Sequence, residues 1–181
     1  PIPGSLRTAA STFYTTSSDS VWLDDVLLTR AASGGAGGAA SAASGETASE
    51  ERTTVLAYCD LPEFQSVTPT DLQAGDLINV TWQWSAATEQ QLNDHINSAV
   101  YDVRVDGQPL PDWRPYIGEQ YYLSGNYYRD WVTPFDVPLA SGLHVITFRV
   151  TWTNPISDGY TAFGPGTDIP EATASCTFTV Q

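Results

Sequence analysis

The stretch Leu77-Ile78-Asn79-Val80-Thr81-Trp82-Gln83-Trp84-Ser85 decides the fold class. Along an extended chain Ile78, Val80, Trp82 and Trp84 face one way, and Asn79, Thr81 and Gln83 face the other. An apolar face opposite a wet one is the pattern of antiparallel sheets. The same alternation recurs near the carboxy terminus, where Cys176, Phe178 and Val180 oppose Thr177 and Thr179. In His144–Thr153, Ile146, Phe148, Val150 and Trp152 oppose Thr147, Arg149 and Thr151.

Further strand signals lie at Thr12–Thr16, Val21–Arg30, Thr53–Cys59, Ala99–Val105, Glu119–Leu123 and Tyr127–Val132. Between them stand residues that tolerate positive φ: Ala74-Gly75-Asp76, Asp106-Gly107, Ser124-Gly125-Asn126, Ser141-Gly142 and Ser157-Asp158-Gly159. Helical spacing is nearly absent. Its best instance, Glu89 to Val100, places Leu92, Ile96, Ala99 and Val100 together but is short and polar. The expectation is an all-β chain over residues 1–181: one jelly-roll β-barrel or sandwich of about eight antiparallel strands. Its two sheets bury Ile78, Val80, Trp82, Trp84, Ile146, Phe148, Val150, Phe178 and Val180. The Gly/Ala/Ser-rich tract at about 31–52 has no large apolar residue and reads as a flexible excursion.

The chain has 21 Asp and Glu against 7 Lys and Arg, all of them arginine, for a net charge of −14. Carboxylate surfaces hold water where salt screens other charges, and losing lysine lowers exposed apolar stem area. The balance predicts a protein that works in molar salt. A field this negative, with arginines that form no basic stripe, argues against direct binding of nucleic acid or anionic lipid. No apolar run approaches the length of a membrane-spanning helix. The start Pro1-Ile2-Pro3-Gly4-Ser5 shows no signal-peptide pattern, and a trimmed initiator Met or a cleaved leader would leave the same start.

Catalytic chemistry is scarce. His95 and His144 are the only histidines, so a triad would have to use one of them, and a His/Cys metal cluster is excluded. His144, at a strand start, reads as structural. No nucleophile-elbow, phosphate-loop, dinucleotide or zinc-protease motif occurs. The paired carboxylates Asp24-Asp25 and Glu50-Glu51 are adjacent, which points them to opposite faces of a strand. The acidic glycine loop Asp158–Asp168 lacks the regular spacing of a calcium loop and reads as a solvated loop. The reading is no enzyme and no cofactor. Asn79-Val80-Thr81 is a glycosylation sequon on the polar face of its strand.

Two features suit contacts. From Trp113 to Phe135 the chain is dense in rings, and Trp113, Tyr116, Tyr122, Tyr128 and Trp131 are the candidate subunit interface, preferred over a sugar-binding platform. Cys59 and Cys176 are the only cysteines. Paired within one chain they would stabilise by about 4–5 kcal/mol in the chain-entropy model. An intrachain bond, an intersubunit bridge and free thiols all remain open. The spacing is not that of the immunoglobulin bond.

In size, acidity, strand patterning and its Pro1–Arg7 start, the chain resembles the smaller major capsid protein of icosahedral haloarchaeal viruses with an internal membrane. That resemblance implies a single upright jelly roll that serves as a capsid building block in the virion. It also implies pairing with itself or with a second capsid protein, no direct nucleic-acid contact, and at most indirect contact with an underlying membrane. Two other segments, Leu139–Phe148 and Val103–Gly107, resemble bacterial immunoglobulin-like domains. They imply the alternative: an immunoglobulin-like sandwich, secreted or on a cell surface, acting as an adhesion or carbohydrate-binding module.

Overall fold

The computed structural model describes residues 52–181. The expected strands Thr12–Thr16 and Val21–Arg30, and the tract up to residue 51, lie outside the described residues.

The alternating segments form strands because each hides one row of apolar side chains and wets the other. They are β1 (Thr53–Leu56), β2 (Ile78–Ala86), β3 (Ala99–Val105), β4 (Gln108–Pro109), β5 (Tyr121–Leu123), β6 (Asn126–Phe135), β7 (Gly142–Trp152) and β10 (Glu171–Val180). A small ribbon pairs β8 (Ile156–Ser157) with β9 (Ala162–Phe163). One sheet runs β1-β2-β6-β5 and the other β10-β7-β3-β4. Every pairing is antiparallel except β1 with β2. The all-β sandwich expected from the alternation is therefore what forms, and its sheets do not close into a barrel.

With the two-residue β4 set aside, the strand order follows an immunoglobulin-like Greek key: β1-β2-β6-β5 take the places of strands A-B-E-D and β10-β7-β3 those of G-F-C. A jelly roll would interleave its strands differently. One departure is β1, which runs parallel to β2. A parallel pair needs a crossover, and residues 57–77 supply it. They leave β1 for the free edge of β10, where the Asp60 N–H donates to Ser175 O at 3.0 Å. They continue through a 3-10 turn at Pro62–Val67 and leave that edge where Gln181 N–H donates to Leu72 O at 2.9 Å. The strand expected over Thr53–Cys59 ends at Leu56 because the chain turns away there.

Two hairpins rest on two-residue turns with both central residues at positive φ, the geometry that matches strand twist. These are Asp106 (φ 49°) with Gly107 (φ 80°), and Ser124 (φ 49°) with Gly125 (φ 92°). All nine residues expected in the core are buried. Trp131, Cys176, Val105 and Trp152 join them.

The short polar segment is a helix, α1 (Glu89–Ser98), opened by a capping box in which Thr88 and Gln91 satisfy each other's backbone N–H groups. Its buried face is Leu92, His95 and Ser98, with Val100 beyond it 48% exposed. The apolar spacing pointed instead to Leu92, Ile96, Ala99 and Val100. Leu92 and Ala99 are buried as that spacing expects, whereas Ile96 is half-buried and Val100 exposed, and His95 takes an inner place beside Leu92.

Candidate functional site: the tyrosine hairpin

Both histidines are consumed by the fold. His95 is fully enclosed and stacks on Trp84, with ring centroids 3.8 Å apart and planes 7° from parallel. The Trp152 indole N–H donates to His95 Nδ1 at 3.0 Å, which places the ring proton on Nε2, 2.7 Å from the Tyr101 hydroxyl. Burial holds His95 well below its usual pKa and pushes Tyr101 well above its own, so both are neutral. Sequence reading missed this network; the signal was a histidine at i+3 from Leu92 on the one α-helix among the described residues.

His144 Nδ1 lies 2.6 Å from Asp106 Oδ2, and its Nε2 lies 2.8 Å from Ala140 O. Both neighbours are acceptors, so both ring nitrogens donate and the ring is the imidazolium. Burial pulls its pKa down, but the Ala140 carbonyl and the Asp106 carboxylate raise it further, for a net rise. The other Asp106 oxygen accepts from Val145 N–H at 3.0 Å. This Asp–His pair fixes the β3–β4 turn to β7. It resembles part of a triad, but its outer nitrogen is spent on a backbone carbonyl.

The acidic glycine loop is occupied in the same way. Asp158 is buried, and its Oδ1 accepts from the N–H groups of Tyr160 (2.8 Å) and Thr161 (2.7 Å). Burial raises its pKa against those donors. Among the described residues no three potential ligands converge as a metal site. A groove of about 310 Å³ beside β10 is lined by threonines, Pro69, Phe178 and Gln181, none of them ionisable.

Cys59 and Cys176 form a disulfide, fully buried, which ties the crossover to β10. Asp60 fastens the same place. Its carboxylate accepts from Ser175 Oγ (2.7 Å), Thr177 N (3.0 Å) and Thr177 Oγ1 (3.0 Å). Burial alone would raise its pKa; these donors reverse that and lower it.

The rings expected at an interface divide. Trp131 is completely enclosed and lies parallel to Trp82, with ring centroids 6.0 Å apart, while Trp113 is buried edge-on to Tyr101 under the Arg114 guanidinium. Those two are corrections: indoles are the largest apolar groups in the chain, and the sandwich claims them for its core. Tyr116 and Tyr128 are half-buried, and Tyr122 is 62% exposed.

What remains at the surface is the β5–β6 hairpin. Register sets Tyr121 opposite Tyr128 and Tyr122 opposite Tyr127. Tyr121 and Tyr128 lie parallel on the outer face of their sheet, with centroids 5.3 Å apart, while Tyr122 and Tyr127 form a tilted pair at 4.8 Å on the reverse. Gln83 Nε2 donates to the Tyr121 hydroxyl at 2.7 Å and to Asp130 Oδ1 at 2.8 Å, fixing the outer pair. Burial and the nearby Asp130 carboxylate keep Tyr121 protonated. At the turn the Tyr160 hydroxyl, on a ring 56% exposed, donates to Asn126 Oδ1 at 3.0 Å. The hairpin offers amphipathic rings and little net charge.

No protein-family model, curated protein or solved structure matches the chain. No helix among the described residues is long and apolar enough to cross a membrane.

Proposed function

We propose that this chain is a non-enzymatic adhesion module of an extracytoplasmic, high-salt surface, and that its β5–β6 hairpin binds a neutral saccharide. The observation that carries the reading is the hairpin itself: paired tyrosines on an immunoglobulin-like sandwich whose two histidines are both spent on structure. A ring with an apolar face and a hydroxyl tip matches a sugar with apolar faces and a hydroxyl rim. The disulfide favours an oxidising compartment. The net charge of −14 disfavours anionic ligands.

The rival is the virion building block. Composition supports it, but the strand order departs from the upright jelly roll that its resemblance implied. An obligate interface also needs a large apolar patch. The large exposed apolar side chains among the described residues are few: Val100, Val137 and Leu143 besides Tyr122 and Tyr160.

The test is a neutral-glycan array at high salt, followed by titration of the best saccharide into wild type and Tyr122→Ser. Loss of the exposed ring should weaken binding by about tenfold with an unchanged melting temperature. Sedimentation runs beside it. A chain that ignores every glycan and instead assembles with itself through the same tyrosines refutes adhesion and favours the virion.

A further inference from the structure

We propose that Asn79 carries an N-linked saccharide, attached before the strand that holds it folds. Of the five asparagines, at positions 79, 93, 97, 126 and 154, only Asn79 is followed two residues later by serine or threonine with a non-proline between them. The fold adds a second observation. Asn79 lies on the outer face of β2, in one row with Thr81 and Gln83. Thr81 Oγ1 donates to Trp131 O at 2.8 Å, and Gln83 is tied to Tyr121 and Asp130. The Asn79 carboxamide makes no hydrogen bond among the described residues and is half-exposed, so a substituent on its nitrogen displaces no described partner.

Its cross-strand neighbours are Thr54 on β1 and Pro134 on β6, short side chains that leave room above the sheet. Val132, next along that face opposite Thr81, is half-buried and apolar. A saccharide there covers a strip that no described element covers. The bulky tyrosines of the same face stand at its other end, beside Ser85 and Gln83.

The reaction joins the Asn79 carboxamide nitrogen to the anomeric carbon of a polyprenyl-phosphate-linked or polyprenyl-pyrophosphate-linked saccharide. The bond from that carbon to the phosphate oxygen breaks, the phosphate leaves with the electron pair, and the amide proton passes to a base of the transferase. The Thr81 hydroxyl that the sequon must offer is buried and bonded to Trp131 O in the fold, and β2 is paired on both sides. Transfer therefore belongs to the unfolded chain.

The test begins with the chain as its own host makes it, reduced and digested with trypsin. Cleavage after Arg52 and Arg104 isolates residues 53–104, which contain Asn79. That peptide should carry a saccharide mass, lost in Asn79→Gln and Thr81→Val and retained in Thr81→Ser, which keeps the hydroxyl. In a second arm, transferase and lipid-linked donor are given to chain folded without the sugar and to chain held unfolded. Only the unfolded chain should be modified, and equal modification of both overturns the order of events. A bare Asn79 in the host-made chain overturns the proposal. The cysteines, read in a parallel digest made without reductant, separate the two readings. A bare Asn79 with Cys59 bonded to Cys176 leaves the extracytoplasmic setting standing, whereas free thiols count against both.

Discussion

Opening the Cys59–Cys176 bond should make this sandwich marginal. The bond joins residues 117 apart in sequence, so it denies the unfolded chain a loop of that size. In the chain-entropy model that is worth about 5 kcal/mol at 25 °C, a third or more of the ~5–15 kcal/mol typical of a whole domain. Unfolding entropy is about 2.1 cal/mol/K per residue, so roughly 130 described residues give about 0.27 kcal/mol/K. Dividing one by the other predicts a fall in Tm of about 15–20 °C. Both cysteines are completely buried, so reductant reaches them only on unfolding. The measurement is therefore calorimetry of chain reduced in denaturant and refolded, beside the oxidised chain. Cys59→Ala/Cys176→Ala is a harsher comparison, because it adds the loss of packed sulfur. The Asp60 clamp persists in both and should keep the native topology. A reduced chain melting within about 5 °C of the oxidised one refutes the reasoning: residues 57–77 would then be held beside β10 even in the unfolded state.

Replacing His95 with alanine strands the Trp152 indole N–H and the Tyr101 hydroxyl and opens a ring-sized void. Urea unfolding should show a loss of about 3–5 kcal/mol, and a loss under about 1 kcal/mol would show the network to be dispensable. His144 has a folded pKa raised above its ordinary value, by the Ala140 carbonyl and the Asp106 carboxylate against the pull of burial. Its stabilisation is therefore full below the ordinary value and is lost as pH rises through the folded value. Tm should fall from pH ~6 to ~9 in wild type and stay flatter in His144→Gln; a wild-type Tm that rises over that window contradicts the imidazolium. Arg52, Arg104, Arg114 and Arg149 are each paired with a carboxylate, which leaves many carboxylates without a cation. Melting from ~3 M to ~0.1 M salt should show a steep loss, since screening weakens as the Debye length grows from ~2–3 to ~10 Å; a flat curve removes the halophilic reading.

The parts of this fold legible in the sequence are those whose physics is local. Alternation in Ile78–Trp84 and Ile146–Trp152 announced two central strands, because a period of two needs only the residues themselves. Asp106-Gly107 and Ser124-Gly125 announced their hairpins, because few residues accept positive φ. The crossover was illegible: nothing in residues 57–77 states that they run along β10, a contact made by Asp60 with residues more than a hundred positions away. Trp131 misled for the same reason. An indole in a ring-rich segment suits an interface or a core equally, and only Trp82 on the facing position of β2 decides between them. His95 was passed over because a lone histidine carries no period, although four aromatic rings, Trp84, Tyr101, Trp131 and Trp152, surround it in the core.

Function then follows from what the sandwich leaves unspent. Polar groups elsewhere are turned inward or onto each other: His144 on Asp106, Asp158 on its own loop, four arginines on neighbouring carboxylates. Among the described residues two neutral surface features stand apart from those pairs, the exposed rings of the β5–β6 hairpin and the carboxamide of Asn79. On a chain of net charge −14 that neutrality is selective. Charged side chains at the contact would lose strength to screening in concentrated salt, whereas stacking on Tyr122 depends on apolar contact, which kosmotropic salts strengthen. A saccharide contact of the proposed kind, made of tyrosine and almost no charge, would keep its affinity in concentrated salt. If saccharide affinity at Tyr122 fell as salt rose, the contact would have to be electrostatic, and the hairpin's few charges, Arg129 and Asp130, would become the place to look.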